Sequence, residues 1–319
     1  MSQRPHAIVT GGAGFVGSHL VDSLLSDGFK VTSLDNFGSG RTKNLKHIES
    51  ERFTSINHDV REPFPDVGDV DYIFHFASRA SPKDFASHAV EIALTNSQGT
   101  KHALECSREH DARALIASTS EVYGNPEENP QTETYNGNVN IRGLRAPYDE
   151  SKRFSEALAV AYEKKHEMDI RTVRIFNTYG PRMDPNDGRV IPNFLSQAIR
   201  GDDLTIYGDG SQTRSFCYVS DLIGGIRTIS DAPAAVASGE VFNVGNTQEI
   251  TIQELADVIL DLVDTGSGVT YQSLPQDDPE VRRPDISKIS SELDWEPSIS
   301  LRTGLERTIP HFEERLEGD

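Results

Sequence analysis

The sequence predicts an α/β fold, a doubly wound parallel sheet with a smaller C-terminal lobe, and three observations carry that expectation. Strand-like apolar segments recur at 6–9, 30–34, 53–56, 71–76, 113–117 and 170–175, and helix-like stretches alternate with them at 15–26, 87–109 and 149–166. Such alternation places parallel strands in one sheet with helices on its faces. Glycines at Gly11, Gly14 and Gly17 separate the first strand from the first helix. After Gly180-Pro181 the texture turns loop-rich through PRMDPNDGR, which marks a second lobe. A chain of 319 residues has room for one large α/β domain with a smaller lobe, or for two ordinary domains.

Taken in order, HAIV at 6–9 reads as a short buried strand, Gly11 and Gly12 break it, and apolar residues resume at helical spacing from Phe15 to Leu25. The spacing Gly-x-x-Gly-x-x-Gly permits a tight turn, close approach of backbone to a pyrophosphate, and close packing of helix on strand. Free N–H groups at the helix start would then face the phosphates. Packing alone also puts glycines in such turns, so the next strand matters. KVTSL at 30–34 ends in Asp35, about twenty residues beyond the loop, where a carboxylate accepts hydrogen bonds from ribose hydroxyls and repels a 2'-phosphate. NAD is therefore expected over NADP. Arg41 stands against that preference, because a nearby arginine accommodates the extra phosphate.

The strand at 113–117 runs into Ser118-Thr119-Ser120-Glu121-Val122-Tyr123-Gly124. Its hydroxyls and carboxylate would emerge at the strand's carboxyl end, where open α/β sheets bind ligands; a polar turn capped by serines is the plainer alternative. Thr119 is the candidate to hold a substrate hydroxyl, and Glu121 a second acid or base. Tyr148 and Lys152, four apart, share a helical face. Beside an oxidised nicotinamide the two positive charges would bring the tyrosine down from its ordinary value of about 10 and make it a base for a sugar hydroxyl. Taken alone, such a pair is equally a piece of helix surface. Beyond 181 a helix is expected at 191–200, a helical stretch at 219–230 and a strand at 241–244. Thr251 to Val263 forms an amphipathic helix with Ile252, Leu255, Ile259 and Leu262 on one face. The expected division is a cofactor domain at 1–180, with a segment of about 217–248 returning to it, and a substrate lobe at 181–319.

Composition narrows the partners. Fifty acidic residues against 31 basic ones give a net charge of −19, which excludes binding of nucleic acid through a general basic surface. Only 9 of the basic residues are Lys against 22 Arg, and acids crowd at Asp202-Asp203 and Asp277-Asp278; such a surface suits high salt and points to a halophilic origin. Cys106 and Cys217 lie in no metal-like spacing and are expected as reduced, buried thiols. No metal site is expected. MSQRPHAIVT runs into the first strand without a secretory segment, and no apolar run reaches membrane-spanning length, so the expected compartment is the cytoplasm, with no membrane partner.

From about residue 6 to 310 the chain resembles the extended short-chain dehydrogenases that modify nucleotide sugars, the NAD-dependent epimerase/dehydratase group built on a Rossmann sheet. Within it the chain looks most like the UDP-glucuronate decarboxylases, through NHDVREP (57–63), STSEVYG (118–124), YDESKR (148–153), RIFNTYGPRM (174–183), NDGRV (186–190), YGDGSQTRSFCYVSDL (207–222) and QDDPEVRRPDI (276–286). The resemblance implies cofactor contacts at Gly11, Gly14, Phe15, Val16, Gly17, Asp35, Asn36, Asp59, Val60, Ala77, Ser78, Asn96, Tyr148 and Lys152. It implies substrate contacts at Asn177, Arg189, Tyr207, Gln212, Arg214 and Arg282. Thr119, Glu121, Tyr148, Lys152 and Arg282 would carry the chemistry, with Thr119 orienting the sugar 4-hydroxyl and Glu121 and Arg282 near the carboxylate and reacting ring. The implied reaction oxidises C4 of a UDP-sugar, loses carbon dioxide from the β-keto acid, and reduces C4 again, so that NAD is regenerated. Helices near 87–109 and 149–166 match those that pair two subunits in the resembled family, which implies a homodimer.

The chain departs from the decarboxylase pattern at Arg79, where a proline is usual, at Leu94, where a lysine is usual, and at Asn136, where a tryptophan is usual. Arg79 would add an anion contact or be a surface charge. Two other activities compete. A 4,6-dehydratase commonly has Asp-Glu where Ser120-Glu121 stands, and a 4-epimerase usually lacks the glutamate. A non-catalytic NAD sensor is the reading from another class, and retention of both Tyr148 and Lys152 opposes it.

Overall fold

The computed structural model describes residues 4–273 and 282–317. Part of the QDDPEVRRPDI motif, with Asp277-Asp278, lies outside them. Seven strands form one parallel sheet: β1 (His6–Thr10), β2 (Lys30–Asp35), β3 (Phe53–Asn57), β4 (Tyr72–His75), β5 (Arg113–Thr119), β6 (Ile170–Ile175) and β11 (Val241–Val244). Their order across the sheet is β11-β6-β5-β4-β1-β2-β3. All five residues of β1 are buried, as a strand covered on both faces requires. Ala7 and Val9 join one apolar cluster and Ile8 another, so the strand's two-residue period is what links the layers. Chain order reverses direction between β1 and β4, and it is outside the carboxyl ends at such a switch point that open sheets leave a crevice.

Helix α1 (Phe15–Ser26) packs against α7 (Val219–Asp231), while α4 (Thr100–His110) packs against α5 (Ala146–His166). The helix expected at 87–109 is broken into α2 (Asp84–Ser87), α3 (Ala89–Leu94), a π-helical turn at Thr95–Gly99, and α4. Hydroxyls explain the π turn. Ser97 Oγ donates to Ala93 O at 2.6 Å, and both Thr100 Oγ1 (2.5 Å) and Ser155 Oγ (2.7 Å) donate to Asn96 O. Carbonyls taken by side chains loosen the regular ladder.

The remaining elements lie outside the large sheet. They are β7 (Thr178–Tyr179), α6 (Val190–Arg200), β8 (Leu204–Tyr207), β9 (Thr213–Ser215), β10 (Cys217–Tyr218), α8 (Ala234–Ala237), β12 (Glu249–Thr251), α9 (Ile252–Leu262), β13 (Val269–Gln272), α10 (Ser287–Leu293) and α11 (Leu301–Glu317). The strands pair as β7 with β10, β9 with β12 and β8 with β13. Thr251 and Glu254 form a reciprocal capping box that starts α9. The chain returns to the large sheet late, because β11 pairs with β6 from Val241–Thr172 to Val244–Ile175. Cys106 and Cys217 are both free and buried, and among the described residues no helix is long and apolar enough to cross a membrane.

Candidate active site

A cleft of about 940 Å³ opens at the carboxyl ends of the strands and runs on to α6, β8 and β9. Its first wall is the glycine turn. A Cβ on Gly17 would lie 2.1 Å from Gly11 O, and one on Gly11, whose φ is +69°, would lie 2.9 Å from Ala77 backbone. The turn closes only without side chains there, and it leaves the start of α1 open to the cleft. Asp35 ends β2 with Oδ2 accepting from Ala13 N–H (3.0 Å) and Oδ1 from Phe37 N–H (2.8 Å). Burial raises its pKa against those two hydrogen bonds. Each oxygen keeps a lone pair for a ribose hydroxyl. Arg41, the residue that spoke for NADP, is engaged elsewhere: it pairs with Asp184 at 3.2 Å. Arg79 donates to Gly38 O at 2.6 Å and pairs with Asp84 at 3.3 Å.

Deeper in the cleft, β5 delivers Thr119, whose Oγ1 accepts from Glu121 N–H at 3.2 Å and so starts the 3-10 turn Ser120–Tyr123. Helix α5 starts with Pro147 in its first turn and carries three basic residues, Lys164, Lys165 and His166, in its last, both favourable to a helix. It presents Tyr148 and Lys152 on one buried face. Phe85 stacks on Tyr148 with ring centres 5.1 Å apart. Lys152 Nζ donates to Ala117 O at 2.8 Å.

The chain's own groups shift three side chains at this site. Burial pushes the Tyr148 phenol up to about 12, despite its hydrogen bond with Thr119; Glu121 adds to the rise and Arg189 opposes it. The lowering expected beside an oxidised nicotinamide is thus not produced by the chain's own groups alone. Lys152 comes down to about 8 through burial, against the pull of Glu156. For Glu121, burial works upward, but the guanidiniums of Arg282 and Arg145 outweigh it and hold the carboxyl at about 2. It is an anion at neutral pH, which leaves the base, and not the acid, of the two roles expected from sequence.

Arg282 comes from the chain ahead of α10 and is almost wholly buried. Its Nη1 lies 3.1 Å from Ser120 Oγ and 3.0 Å from Glu121 Oε1, and its Nη2 donates to Gly124 O at 3.1 Å. Asn177, Arg189, Tyr207, Gln212 and Arg214 also line the cleft, as do Phe15, Val16, Asn36, Val60, Ala77 and Ser78. Two expected cofactor residues do not. The carboxylate of Asp59 is taken by Arg61 at 2.6 Å and by Asn36 Nδ2 at 3.1 Å, and the Arg61 hydrogen bond drives its pKa well down. Asn96 is fully buried in the π turn, with Nδ2 donating to Ser151 Oγ at 2.9 Å, where it braces α5 instead of facing the cleft.

Sequence reasoning missed Arg145 and Arg315. Arg145 contacts Glu121 and lies 5.4 Å over the Phe85 ring; its place three residues before Tyr148, on the same helical side, could have revealed it. Arg315 reaches the cleft from α11, bonding Met183 O at 3.1 Å. No local motif signals it.

Residues 7–245 match the family model for the NAD dependent epimerase/dehydratase family. UDP-glucuronic acid decarboxylase 1 of Xenopus tropicalis is 47% identical over 98% of this chain and 73% of the relative. Its Arabidopsis thaliana namesake is 48% identical over 98% of this chain and 71% of the relative. The solved UDP-glucose 4-epimerase of Thermotoga maritima superposes with a TM-score of 0.88 at 27% identity, covering 98% of this chain and 99% of the other. A Bacillus cereus UDP-glucuronic acid 4-epimerase solved with UDP-glucuronic acid and NAD gives 0.86 at 27%, covering 97% and 99%.

Proposed function

We infer from the NAD dependent epimerase/dehydratase family, to which this chain belongs, that it decarboxylates UDP-glucuronate to UDP-xylose through a 4-keto sugar. The observation that carries the reading is Arg282, a buried guanidinium brought from the far lobe to the turn beside Tyr148. Its planar fork suits a carboxylate, and among the described residues its Nε has no partner, so a donor is left for a ligand. The glycine turn, the start of α1 and Asp35 fit NAD, which when bound supplies the oxidation at C4 and its reversal.

The chain's own residues do the rest. Tyr148 moves the C4 hydroxyl proton, with Thr119 beside it to orient the hydroxyl. Lys152, fixed by Ala117 O, places positive charge under the same face, and Arg189 adds to it. A ketone β to the C6 carboxylate accepts the electrons left when carbon dioxide departs. Arg282 orients that carboxylate and supports the charge that develops on the sugar, while Glu121, kept ionised, anchors Arg282 and Arg145. In this reading residues 1–180, with the returning strand, hold the cofactor, and 181–319 supply most of the nucleotide-sugar contacts through Tyr207, Gln212 and Arg214. We also assign a homodimer, because Val90 on α3 and Phe154 and Val160 on α5 leave large apolar side chains exposed; sedimentation of a Phe154→Glu, Val160→Glu variant as the same species as the unmodified chain would refute it.

The deciding assay offers NAD with UDP-glucuronate, and separately with UDP-glucose, and follows products by mass. Carbon dioxide and a UDP-pentose are expected from the first and nothing from the second. Interconversion of UDP-glucose and UDP-galactose without carbon dioxide would replace decarboxylation by the 4-epimerisation that the solved neighbours perform.

A further inference from the structure

Arg282 keeps its place at the catalytic turn because the chain just beyond it is spliced to another loop, and we propose that Gln131 and Asn243 are the positioning residues that set this splice. The inference rests on the decarboxylase reading, in which Arg282 meets the substrate carboxylate. Gln131 is fully buried. Its N–H donates to Arg283 O at 2.9 Å, and its carbonyl accepts from Asp285 N–H at 2.8 Å. This is a one-residue parallel bridge to Pro284. A parallel bridge asks nothing of the central residue's N–H, so a proline fits there without loss. Arg283 N–H would be left unpaired, and the Gln131 side chain takes it at Oε1, 2.9 Å away, while its Nε2 donates to Glu128 O at 2.6 Å.

Asn243, on β11 and also fully buried, ties this splice back to the active-site turn. Its Nδ2 donates to Gln131 O (3.0 Å) and Asp285 O (3.1 Å), and its Oδ1 accepts from Tyr123 OH at 2.7 Å. Tyr123 belongs to the same 3-10 turn whose Ser120 and Glu121 hold the Arg282 guanidinium. The hydrogen bonds therefore close a ring, from the turn through Tyr123, Asn243 and Gln131 to Arg283 and back through Arg282. Neither Gln131 nor Asn243 lines the cleft, so an effect of either on the chemistry passes through what they hold.

The test is single-turnover decarboxylation of UDP-glucuronate by the NAD-loaded enzyme, following NADH absorbance and product mass in Gln131→Ala, Asn243→Ala, Arg282→Ala and the unmodified chain. Misplacement of a reacting group by an ångström costs about 100-fold, so pentose formation in the two positioning variants is expected to fall about 10- to 100-fold. NADH formation and bound NAD should change little, so that 4-keto sugar and NADH accumulate as in Arg282→Ala. Unchanged partition between keto sugar and pentose would overturn the proposal. So would equal slowing of both steps, or loss of NAD binding through misfolding in both variants, because the ring would then be general scaffold. If the unmodified chain makes pentose and Arg282→Ala accumulates keto sugar while Gln131→Ala does not, this inference alone fails. If the unmodified chain makes no pentose, the decarboxylase reading fails with it.

Discussion

A buried phenol is a poor base, and Tyr148 illustrates how far a site must reach beyond its own residues. With its pKa pushed up to about 12 by burial, it needs an added positive charge before it accepts a proton near neutrality. Tyr148→Phe should lower turnover by at least about 100-fold, the lower end for general acid-base groups, yet keep NAD binding, since the ring and its stack on Phe85 survive; turnover within a few-fold of the unmodified enzyme, measured beside calorimetry, would make Tyr148 a packing residue. Its neighbour Asp149 carries a different cost. Burial and then the charge of Glu121 raise its carboxyl to about 7, against Arg145 and Arg282, and its Oδ1 has no hydrogen-bond partner among the described residues. A folded-state pKa above the ordinary 3.8 means that the folded chain holds the proton more tightly, so this residue's contribution to stability declines as pH rises from about 4 to about 7 and beyond. Asp149→Asn should therefore raise the melting temperature more at about pH 8 than at about pH 5. Equal shifts at both would place the Asp149 carboxylate in a less costly setting. The tyrosine and lysine were legible from their spacing, because four residues make one helical turn. Asp149 was not, because its cost arises from Glu121 and from burial, neither visible in YDESKR.

At the scale of elements, strands were the most readable, since a strand covered on both faces buries nearly all its side chains, as β1 does over its full length; the edge strand β3, with Thr54, Ser55 and Asn57 exposed, was legible from Phe53 and Ile56 alone. The π turn was not, since hydroxyls that capture the Ala93 and Asn96 carbonyls leave the apolar periodicity of 87–109 intact. Helix α11 and Arg315 were equally hidden: a helix of mixed polarity with Pro310 inside it sends no strong signal. The turn after β5 is the element with the least tolerance. Gly124 has φ +62°, and a Cβ there would lie 2.0 Å from Asn138 O, a backbone atom that cannot swing aside. Gly124→Ala should destabilise the chain by about 2 kcal/mol or more and loosen the grip of Gly124 O on Arg282. Urea unfolding checks the first effect; a change below about 0.5 kcal/mol, the range of an ordinary surface substitution, would show that the turn relaxes freely.

For the whole molecule, a net charge of −19 means self-repulsion that dissolved salt relieves. Exposed ion pairs such as Arg302–Asp261 lose strength in salt as well, but each contributes little. Raising NaCl from about 0.1 M to about 1 M shortens the Debye length from about 10 Å to about 3 Å and should raise the melting temperature and the activity together. A flat or falling response would remove the case for a high-salt habitat. The strand β11, which returns to the sheet beside β6 after α7 and α8, had a sequence signal in its apolar run, as β6 did, whereas the pairing of the two had none, because pairing across about seventy residues leaves no local trace. The bond between Arg282 and Ser120 spans 162 residues, and this separation carries a consequence for synthesis. Chains emerge from the ribosome amino end first, so the cofactor turn, Tyr148 and Lys152 are all made well before Arg282. On the function proposed above, a growing chain thus passes through an interval in which it has the parts to oxidise a sugar and lacks the part that completes the reaction, and closing so long a loop is slow. Early cofactor occupancy, which favours the folded form by mass action, would therefore precede competence for the full turnover.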